Sequence, residues 1–316
     1  MVADGTRFSK SSAFPSAAAS FPSPRGRHVG LAVIVPAYDE VNGIAETLDR
    51  TRDVLAGLDC VSEVIVVDDG STDGTGEAAA NCGARVISHS VNRGYGAALK
   101  TGILSTSAPA VLIMDADCTY RPEAIPKLYA LLNGADMVVG SRELTSSGVL
   151  WIRRPAKWFL NRYASFLVGR PVPDLNSGQR VMKRDVVLRY LHLMPDGFSF
   201  TSTITLAMLT NGHPVIYQPI EYDQRRGDSK IRAVHFLDFL LLIMRAMILF
   251  NPLRIFLPIS GVLFLIGTAM LALDIARRDL SETTVMALLS ALVVWVVGLL
   301  AETIARLHMR PPQSDI

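Results

Sequence analysis

Cysteine and clustered positive charge are both scarce in this chain, and each scarcity argues against a class of protein. Of its 316 residues only three are cysteines, Cys60, Cys82 and Cys118, an odd number without a CxxC pair. This usage predicts reduced thiols in a reducing compartment and gives no basis for a disulfide framework. The net charge is only +2 and no dense basic run is present, so the sequence does not indicate binding to nucleic acid.

Two further signals are missing from the first hundred residues. Residues 1–28 are rich in Ser, Ala, Pro and Phe but contain no long apolar run, which predicts a disordered tail instead of a signal peptide. The glycine-rich segment at residues 92–96 is not followed by the Gly-Lys-Ser/Thr of a Walker loop. That segment therefore does not predict this type of phosphate site.

Apolar residues are abundant, and their excess is concentrated after residue 230. Half of the chain is hydrophobic, and its mean hydropathy is +0.31. Residues 255–273 and 285–301 carry no charge, and as helices they would extend about 25–29 Å, close to the ~30 Å hydrocarbon core of a bilayer. We therefore predict a transmembrane helical hairpin at residues 253–305, with an outer loop at 274–284 and a cytoplasmic tail at 306–316.

A segment with a different pattern precedes the hairpin at residues 231–252. At 100° per residue its polar side chains Arg232, His235, Asp238 and Arg245 fall within an arc of about 140°, with apolar residues elsewhere. This pattern predicts an amphipathic helix that lies on the membrane surface. Basic residues flank the hairpin, and although two arginines in its outer loop weaken the bias, the pattern favours a cytoplasmic location for the preceding domain.

Residues 29–230 alternate short apolar runs with helical stretches, which predicts an α/β domain with a mostly parallel sheet. The apolar runs predict strands at residues 31–35, 64–67, 85–88, 110–114 and 137–139. Helices are predicted near residues 40–57, 73–81, 96–106 and 122–133. Because the carboxyl ends of parallel strands share one edge, we expect residues 36–40, 68–72 and 115–117 to lie together there.

Paired carboxylates follow two of these strands. The second strand ends in Asp68 and Asp69, and the fourth is followed by Asp115 and Asp117. Two carboxylates at such an edge suit Mg²⁺ or Mn²⁺ bridging to a diphosphate. Taken alone, the first pair also fits a turn followed by a helix N-cap, and the second pair also fits a solvated strand end.

Together these motifs resemble the family 2 glycosyltransferases with the GT-A fold, which is a Rossmann-like α/β fold. The resemblance covers residues 31–230 and includes IVPAYDE at residues 34–40. The sequence RRGDSK at residues 225–230 is similar to the Arg-x-Gly-x-Ser-Lys signature of polyprenyl-phosphate hexosyltransferases, the group that contains dolichol-phosphate mannose synthase. A basic patch that meets anionic lipid is the other interpretation of that segment. The Gln-x-x-Arg-Trp motif of processive polysaccharide synthases is absent.

The resemblance implies roles for individual residues at the strand ends and in later loops. A nucleotide-sugar donor would be bound by Pro36, Ala37, Tyr38, Glu40, Val67, Asp69, Asp115, Ala116 and Asp117. The catalytic set would be Asp117, Arg142, Asp174, Arg225 and Lys230.

Within these sets the implied roles differ. Asp69 would hydrogen-bond the nucleobase, whereas Asp115 and Asp117 would hold Mg²⁺ or Mn²⁺. The three basic residues of the catalytic set would contact phosphates of the donor or the acceptor. Asp174 would orient groups on the acceptor side, although a helix N-cap is an equally good interpretation. Thr119 stands where some family members carry a metal-binding Gln, which leaves the identity of the metal open.

The implied reaction is the inverting transfer of one hexose from a UDP- or GDP-linked donor to dolichyl, undecaprenyl or decaprenyl phosphate. It would take place at the cytoplasmic face of a cell membrane or an endoplasmic-reticulum-type membrane. One alternative is an enzyme that acts on another lipid or a lipid-linked saccharide, and another is a non-catalytic nucleotide-sugar-binding subunit of a membrane complex. The oligomeric state, a homo-oligomer included, stays open.

Overall fold

The computed structural model describes residues 29–142, 154–223 and 235–308. Their strands are β1 (Leu31–Ala37), β2 (Ser62–Asp68), β3 (Arg85–Ser88), β4 (Ala110–Ile113), β5 (Met137–Arg142), β6 (Arg180–Lys183) and β7 (Val215–Ile220). Their α-helices are α1 (Val41–Ala56), α2 (Thr75–Asn81), α3 (Tyr95–Leu104), α4 (Ile125–Leu131), α5 (Arg154–Val168), α6 (Arg184–Tyr190), α7 (Phe200–Thr210), α8 (His235–Phe250), α9 (Leu253–Arg277) and α10 (Glu282–His308). The alternation of strands and helices confirms the predicted α/β class.

The described strands form one sheet in the order β3-β2-β1-β4-β6-β5-β7. Neighbouring strands are parallel except at β6, which runs antiparallel to both β4 and β5. The predicted mostly parallel sheet is therefore confirmed. The sequence does not predict β6 and β7, because β6 has a charged residue at each end and β7 contains Gln218 and Pro219, which interrupt its apolar pattern.

The central strands are buried on both faces, which explains their unbroken apolar sequences. All residues of β1 are buried, and their side chains alternate between two cores. Ile34 lies in a core with α3, α5, α6 and α7, whereas Val33 and Val35 lie in a core with α1 and α4. Helices thus cover both faces of the sheet, and the polar loops gather at its carboxyl edge.

Helix α8 covers most of the segment that is predicted to lie on the membrane surface. On one side Ile243, Met247 and Phe250 are buried in the core that also contains residues of α5 and α7. On another side Leu241 and Arg245 are exposed. The helix is therefore fixed to the α/β domain along one face, and its contact with a bilayer stays a prediction.

The last two described helices, α9 and α10, form the predicted hairpin. Both are long and apolar enough to cross a membrane, and few of their side chains are buried. The connecting loop is shorter than predicted, because residues 274–277 and 282–284 are helical. Asp274 stabilises this tight turn, since its Oδ2 accepts hydrogen bonds from Ser281 N at 2.9 Å and from Thr284 Oγ1 at 2.6 Å.

Arg254 connects the base of the hairpin to the α/β domain. Its Nη1 donates a hydrogen bond to the carbonyl oxygen of Leu167, near the C-terminal end of α5, at 2.7 Å. This position suits a cation, because the last carbonyl groups of a helix lack partners within the helix and carry the negative end of its dipole. The hairpin is therefore joined to α5 by a directed hydrogen bond in addition to the covalent chain.

The packing of the hairpin predicts that Gly298→Val destabilises it. A Cβ at Gly298 in α10 would lie 2.7 Å from the Cβ of Phe256 in α9, an atom that cannot move without its backbone. Overpacking of this kind costs about 1–3 kcal/mol. We therefore expect the melting temperature of the detergent-solubilised protein, followed by circular dichroism, to fall by several degrees.

Gly261→Val is the matched control for this experiment. It places the same side chain in α9 at a position where a Cβ would have no atom within 4 Å. Its melting temperature is expected to stay close to that of the unmodified protein. Equal melting temperatures for the two variants would show that α10 does not pack tightly against α9 at Gly298.

Candidate active site

Three strand ends meet at the carboxyl edge of the sheet, as the sequence predicts. Strands β2, β1 and β4 are neighbours, and main-chain hydrogen bonds continue their pairing beyond the strands. Asp69 N donates to Ala37 O at 2.9 Å, and Met114 N donates to Ile34 O at 3.1 Å. The predicted donor-binding segments therefore form one polar rim.

Several predicted donor-binding residues have buried side chains. Pro36, Ala37, Val67 and Ala116 lie in the strands or directly after β4, and their side chains are almost inaccessible. These residues can meet a nucleotide only through their main chain or by shaping the cleft. Tyr38, in contrast, is 38% exposed at the rim. The contacts of all five residues with a donor stay predictions.

The loop after β1 is tied to the loop after β2. Asp39 N donates to Ser71 Oγ at 3.1 Å, and Glu40 N donates to Thr75 Oγ1 at 2.9 Å. The second loop contains a turn, because Asp68 Oδ1 accepts a hydrogen bond from Ser71 N at 2.9 Å. Asp73 Oδ1 accepts a hydrogen bond from Thr75 N, the first main-chain N–H of α2, at 3.0 Å, so both the turn and the side-chain helix cap of the alternative interpretation are present.

Asp69 is buried, and its carboxylate is surrounded by the segment that precedes α3. Oδ1 lies 2.6 Å from His89 Nδ1 and accepts a hydrogen bond from Arg93 N at 3.0 Å, while Oδ2 accepts one from Gly94 N at 2.7 Å. His89 Nε2 in turn lies 2.9 Å from Thr101 Oγ1 in α3. Asp69 therefore anchors the glycine-rich segment, and its contact with a nucleobase stays a prediction.

Asp115 is oriented by Tyr95, a residue that the sequence motifs do not identify. Tyr95 Oη donates to Asp115 Oδ1 at 2.9 Å, and the Tyr95 ring stacks on Phe198 with their centres 5.6 Å apart. Burial raises the pKa of Tyr95 well above its usual value, and the Asp115 charge adds to the increase. The phenol therefore remains a hydrogen-bond donor. Its position as the first residue of α3, within the glycine-rich segment, is the one sequence signal for this role.

Asp117 is held by the residues that follow it. Thr119 donates to Asp117 Oδ1 from its Oγ1 at 2.5 Å and from its main-chain N at 3.2 Å. Cys118 has a φ of 59°, in the left-handed region, which turns the chain back towards Asp117. Thr119 is buried, so its hydroxyl fixes the direction of a carboxylate where some family members carry a metal-binding Gln.

The donor set at this edge fits Mg²⁺ or Mn²⁺. Asp115 and Asp117 offer oxygen atoms from half-buried side chains, and oxygen is the ligand that both ions prefer. Within residues 29–142, 154–223 and 235–308, no group of three or more His, Cys, Asp or Glu side chains is placed to hold an ion. Two carboxylates with diphosphate oxygens and water is a usual arrangement for Mg²⁺ beside a nucleotide.

Two residues of the predicted catalytic set bind each other. Arg142, at the end of β5, donates from Nε and Nη2 to the two carboxylate oxygens of Asp174 at 2.8 and 2.9 Å. Its guanidinium also lies 5.4 Å from the ring centre of Tyr222. Burial acts to lower the pKa of Arg142, but Tyr120 and Asp174 outweigh burial and raise it well above its usual value. No helix begins between Asp174 and β6, so the N-cap interpretation of Asp174 is wrong.

The segment that leads from Asp174 into β6 passes close to Asp115. Gly178 N donates to the phenol oxygen of Tyr120 at 2.6 Å. A Cβ at Gly178 would collide with the Asp115 carboxylate, so only glycine allows the two to occupy this space. One short stretch of chain therefore links the Arg142–Asp174 ion pair to the carboxylates after β4.

The other two members of the predicted catalytic set, Arg225 and Lys230, lie outside the described residues. The structure does describe the chain just before them. Tyr222 forms an antiparallel bridge with Tyr120, and Tyr120 lies three residues after Asp117. Their rings make an edge contact with centres 5.0 Å apart. The described chain before this gap therefore ends beside the carboxylate edge.

Comparison with known proteins identifies two family models that match this chain. Residues 32–191 match the family model described as Glycosyl transferase family 2, and residues 251–307 match the GtrB C-terminal hairpin. The dolichyl-phosphate hexose transferase of Haloferax volcanii is 34% identical over 64% of this chain and 86% of its own length. The undecaprenyl-phosphate mannosyltransferase of Micrococcus luteus is 30% identical over 63% of this chain and 86% of its own length. The undecaprenyl-phosphate 4-deoxy-4-formamido-L-arabinose transferase of Edwardsiella ictaluri is 26% identical over 88% of this chain and 89% of its own length.

Solved structures share the fold at lower identity. The glucosyl-3-phosphoglycerate synthase of Mycobacterium tuberculosis, crystallised with Mn²⁺, UDP-glucose and phosphoglyceric acid, has a TM-score of 0.56 at 20% identity. The similarity covers 71% of this chain and 80% of that one, and it confirms the predicted type of fold. The family 2 model spans half of this chain, and relatives with at least 30% identity match it along most of their own length. This chain therefore belongs to glycosyl transferase family 2.

Proposed function

We propose that the protein is a membrane-bound inverting glycosyltransferase that moves one hexose from a nucleotide-diphosphate sugar to polyprenyl phosphate at the cytoplasmic face. The observation that carries this proposal is the presence, in one chain, of the Asp115 and Asp117 edge and an apolar hairpin bonded to the same domain through Arg254. The names of the most similar relatives, which refer to dolichyl and undecaprenyl phosphate, support the choice of acceptor.

The donor side of the reaction depends on the two carboxylates. Asp115 and Asp117 would hold the cation, which when bound supplies positive charge to the leaving diphosphate. Tyr95 and Thr119 each donate a hydrogen bond to one of these carboxylates and so fix its direction before the donor arrives. Groups that are oriented in advance need no reorganisation during the reaction, which is the main source of electrostatic catalysis.

The acceptor side needs positioning more than proton removal. A phosphate monoester loses its second proton at a pH of about 6, so it is already a dianionic nucleophile in a neutral compartment. Its oxygen attacks the anomeric carbon while the bond to the nucleoside diphosphate breaks on the opposite face, which inverts that carbon. Arg142 is held at this edge by its ion pair with Asp174, and we propose that Arg142, Arg225 and Lys230 contact the phosphates of donor and acceptor.

The cytoplasmic orientation is supported by charge and by thiols. Arg254 and Arg306 lie at the domain end of the hairpin, where an excess of basic residues favours the cytoplasmic side. The three cysteines are all free, which suits a reducing compartment. An even number of membrane spans returns the C-terminus to the side of the α/β domain.

The proposal is tested by supplying membranes that contain the protein with polyprenyl phosphate and one radiolabelled donor at a time. The panel includes UDP- and GDP-linked hexoses, which are the expected donors. It also includes the nucleotide-linked form of 4-deoxy-4-formamido-L-arabinose, the pentose named for a relative matched over 88% of this chain, and transfer from this donor alone would contradict the hexose assignment. We expect label in extractable lipid that depends on added polyprenyl phosphate. Label that appears only with another lipid or a lipid-linked saccharide, or nucleotide binding without transfer from any donor, would refute the proposal.

Asp117→Asn is expected to reduce turnover by at least ~10²-fold, because it removes one anionic ligand of the cation that screens the leaving group. A chelator should have the same effect on the unmodified protein, and added Mg²⁺ or Mn²⁺ should reverse it. Asp185→Asn is the control, since Asp185 is an exposed carboxylate on α6 that pairs only weakly with Arg189 at 3.8 Å. Near-normal turnover in Asp117→Asn, or in excess chelator, would rule out the metal-dependent mechanism.

Tyr95→Phe is expected to weaken Mn²⁺ binding about 10-fold, because it removes the hydrogen bond that orients Asp115. The substitution leaves the aromatic ring in place, so the stacking on Phe198 is preserved. Binding would be measured from the paramagnetic resonance signal of free Mn²⁺ in the presence of the nucleoside diphosphate. Tyr190→Phe is the matched control: its hydroxyl lies 3.0 Å from His213 Nε2, away from the carboxylate edge. If both variants bind Mn²⁺ equally well, Asp115 does not depend on Tyr95.

A further inference from the structure

A cavity of about 560 Å³ lies at the C-terminal end of α5, outside the carboxylate edge. Its walls are mostly apolar and include Tyr163, Phe166 and Pro171, and two arginines, Arg162 and Arg170, also line it. Among the residues that the structure describes, none assigned to the donor, the cation or the catalytic set lines this cavity. The proposed function therefore leaves it without a role.

The cavity is close to the level at which the hairpin begins. Arg254, in the first turn of α9, bonds the carbonyl oxygen of Leu167, and Gly169, which lines the cavity, packs directly against the Arg254 guanidinium. From this point α9 and α10 expose long rows of large apolar side chains, as helices in contact with lipid do. A molecule in the cavity would therefore lie at the boundary between the domain and the bilayer.

The exposed face of α5 has a composition that is unusual for a water-facing helix. Trp158 and Phe166 are 64% and 65% exposed, and the exposed Arg162 lies between them at a spacing of four residues. Ala164 and Leu167, on the other face, are buried in the core of the domain. Large aromatic residues mixed with arginine are typical of the zone where lipid head groups meet hydrocarbon.

We propose that this cavity binds the head group of an anionic phospholipid of the surrounding bilayer. Arg162 and Arg170 pair with its phosphate, and the upper part of an acyl chain lies against Phe166 and the hairpin. A ligand that is anionic at one end and apolar at the other matches a cavity with two guanidinium groups and apolar walls at the edge of a membrane. The bound lipid holds α5 on the bilayer surface beside Arg254.

The proposal is tested on the full-length protein in detergent by native mass spectrometry with added phosphatidylglycerol or phosphatidylcholine. We expect the protein to retain phosphatidylglycerol in preference to phosphatidylcholine. The double variant Arg162→Gln/Arg170→Gln should retain about fivefold less phosphatidylglycerol, because both phosphate partners are removed. Equal retention of the two lipids by the unmodified protein would refute the proposal.

The double variant Arg85→Gln/Arg189→Gln is the matched control, because it removes the same charge from exposed positions on β3 and α6. This control variant should retain the same amount of phosphatidylglycerol as the unmodified protein. An equal loss of bound phosphatidylglycerol in both double variants would show that binding depends only on net charge, which would refute the site. Melting temperatures confirm that each variant is folded.

Two competition experiments separate the phospholipid from other phosphates. Inorganic phosphate should not displace phosphatidylglycerol, since it lacks an apolar part, and displacement by it would show a simple anion site and overturn the proposal. Polyprenyl phosphate should leave the bound phosphatidylglycerol in place. If polyprenyl phosphate displaces it and Arg162→Gln/Arg170→Gln abolishes that competition, the cavity belongs to the acceptor and the proposal is wrong, whereas the proposed transfer reaction is unaffected.

Discussion

The carboxylate edge of this protein depends on β6, which runs antiparallel to the other strands in the described part of the chain. Strand β6 is antiparallel to β4 and β5, so the chain enters it from the carboxyl edge of the sheet. The segment before it, residues 174–179, must therefore cross that edge, where Gly178 lies against Asp115 and Ser177 Oγ donates to Gly140 O. A parallel strand at this place would start from the opposite edge, and its connection would leave the carboxylates uncovered.

Buried charges hold this crossing segment at both ends. Asp174 is bound by Arg142, whereas Arg180 is fully buried and donates to Thr201 O at 2.8 Å and Thr205 Oγ1 at 2.7 Å in α7. Removing an ion from water costs on the order of several kcal/mol, so the buried Asp174 carboxylate and the buried Arg180 guanidinium each strongly favour the one arrangement that satisfies their hydrogen bonds. The crossing segment is therefore strongly constrained. Since Asp174 already offsets part of the charge of Arg142, the pair acts as a fixed electrostatic boundary of the site.

The sequence predicts which residues lie at the edge of the site, but it does not predict the hydrogen bonds and ion pairs that connect them to distant parts of the chain. Asp115 and Asp117 are identified because an apolar strand ends directly before them, which is a local property of the chain. The ion pair between Arg142 and Asp174 joins residues 32 positions apart, and no periodic pattern relates them. Tyr95 is missed for the same reason. Helix α8 shows a further limit, because its polar arc indicates that it has two faces but not that Ile243 packs into the core of the domain.

For the proposed lipid acceptor, the attachment of the hairpin to the α/β domain determines how the site meets the membrane. Helix α8 packs on α5 and α7 and also contacts both α9 and α10, while Arg254 bonds the end of α5. Packing contacts and one directed hydrogen bond therefore join the α/β domain to the two helices of the hairpin. The acceptor in the proposed function is a phosphate anchored in the bilayer, which stays near one height and moves within the membrane plane. A domain that is packed on its hairpin would need to search for this phosphate in only two dimensions. A flexible tether would hold the same carboxylate edge over a range of heights, and most encounters with an anchored acceptor would be unproductive.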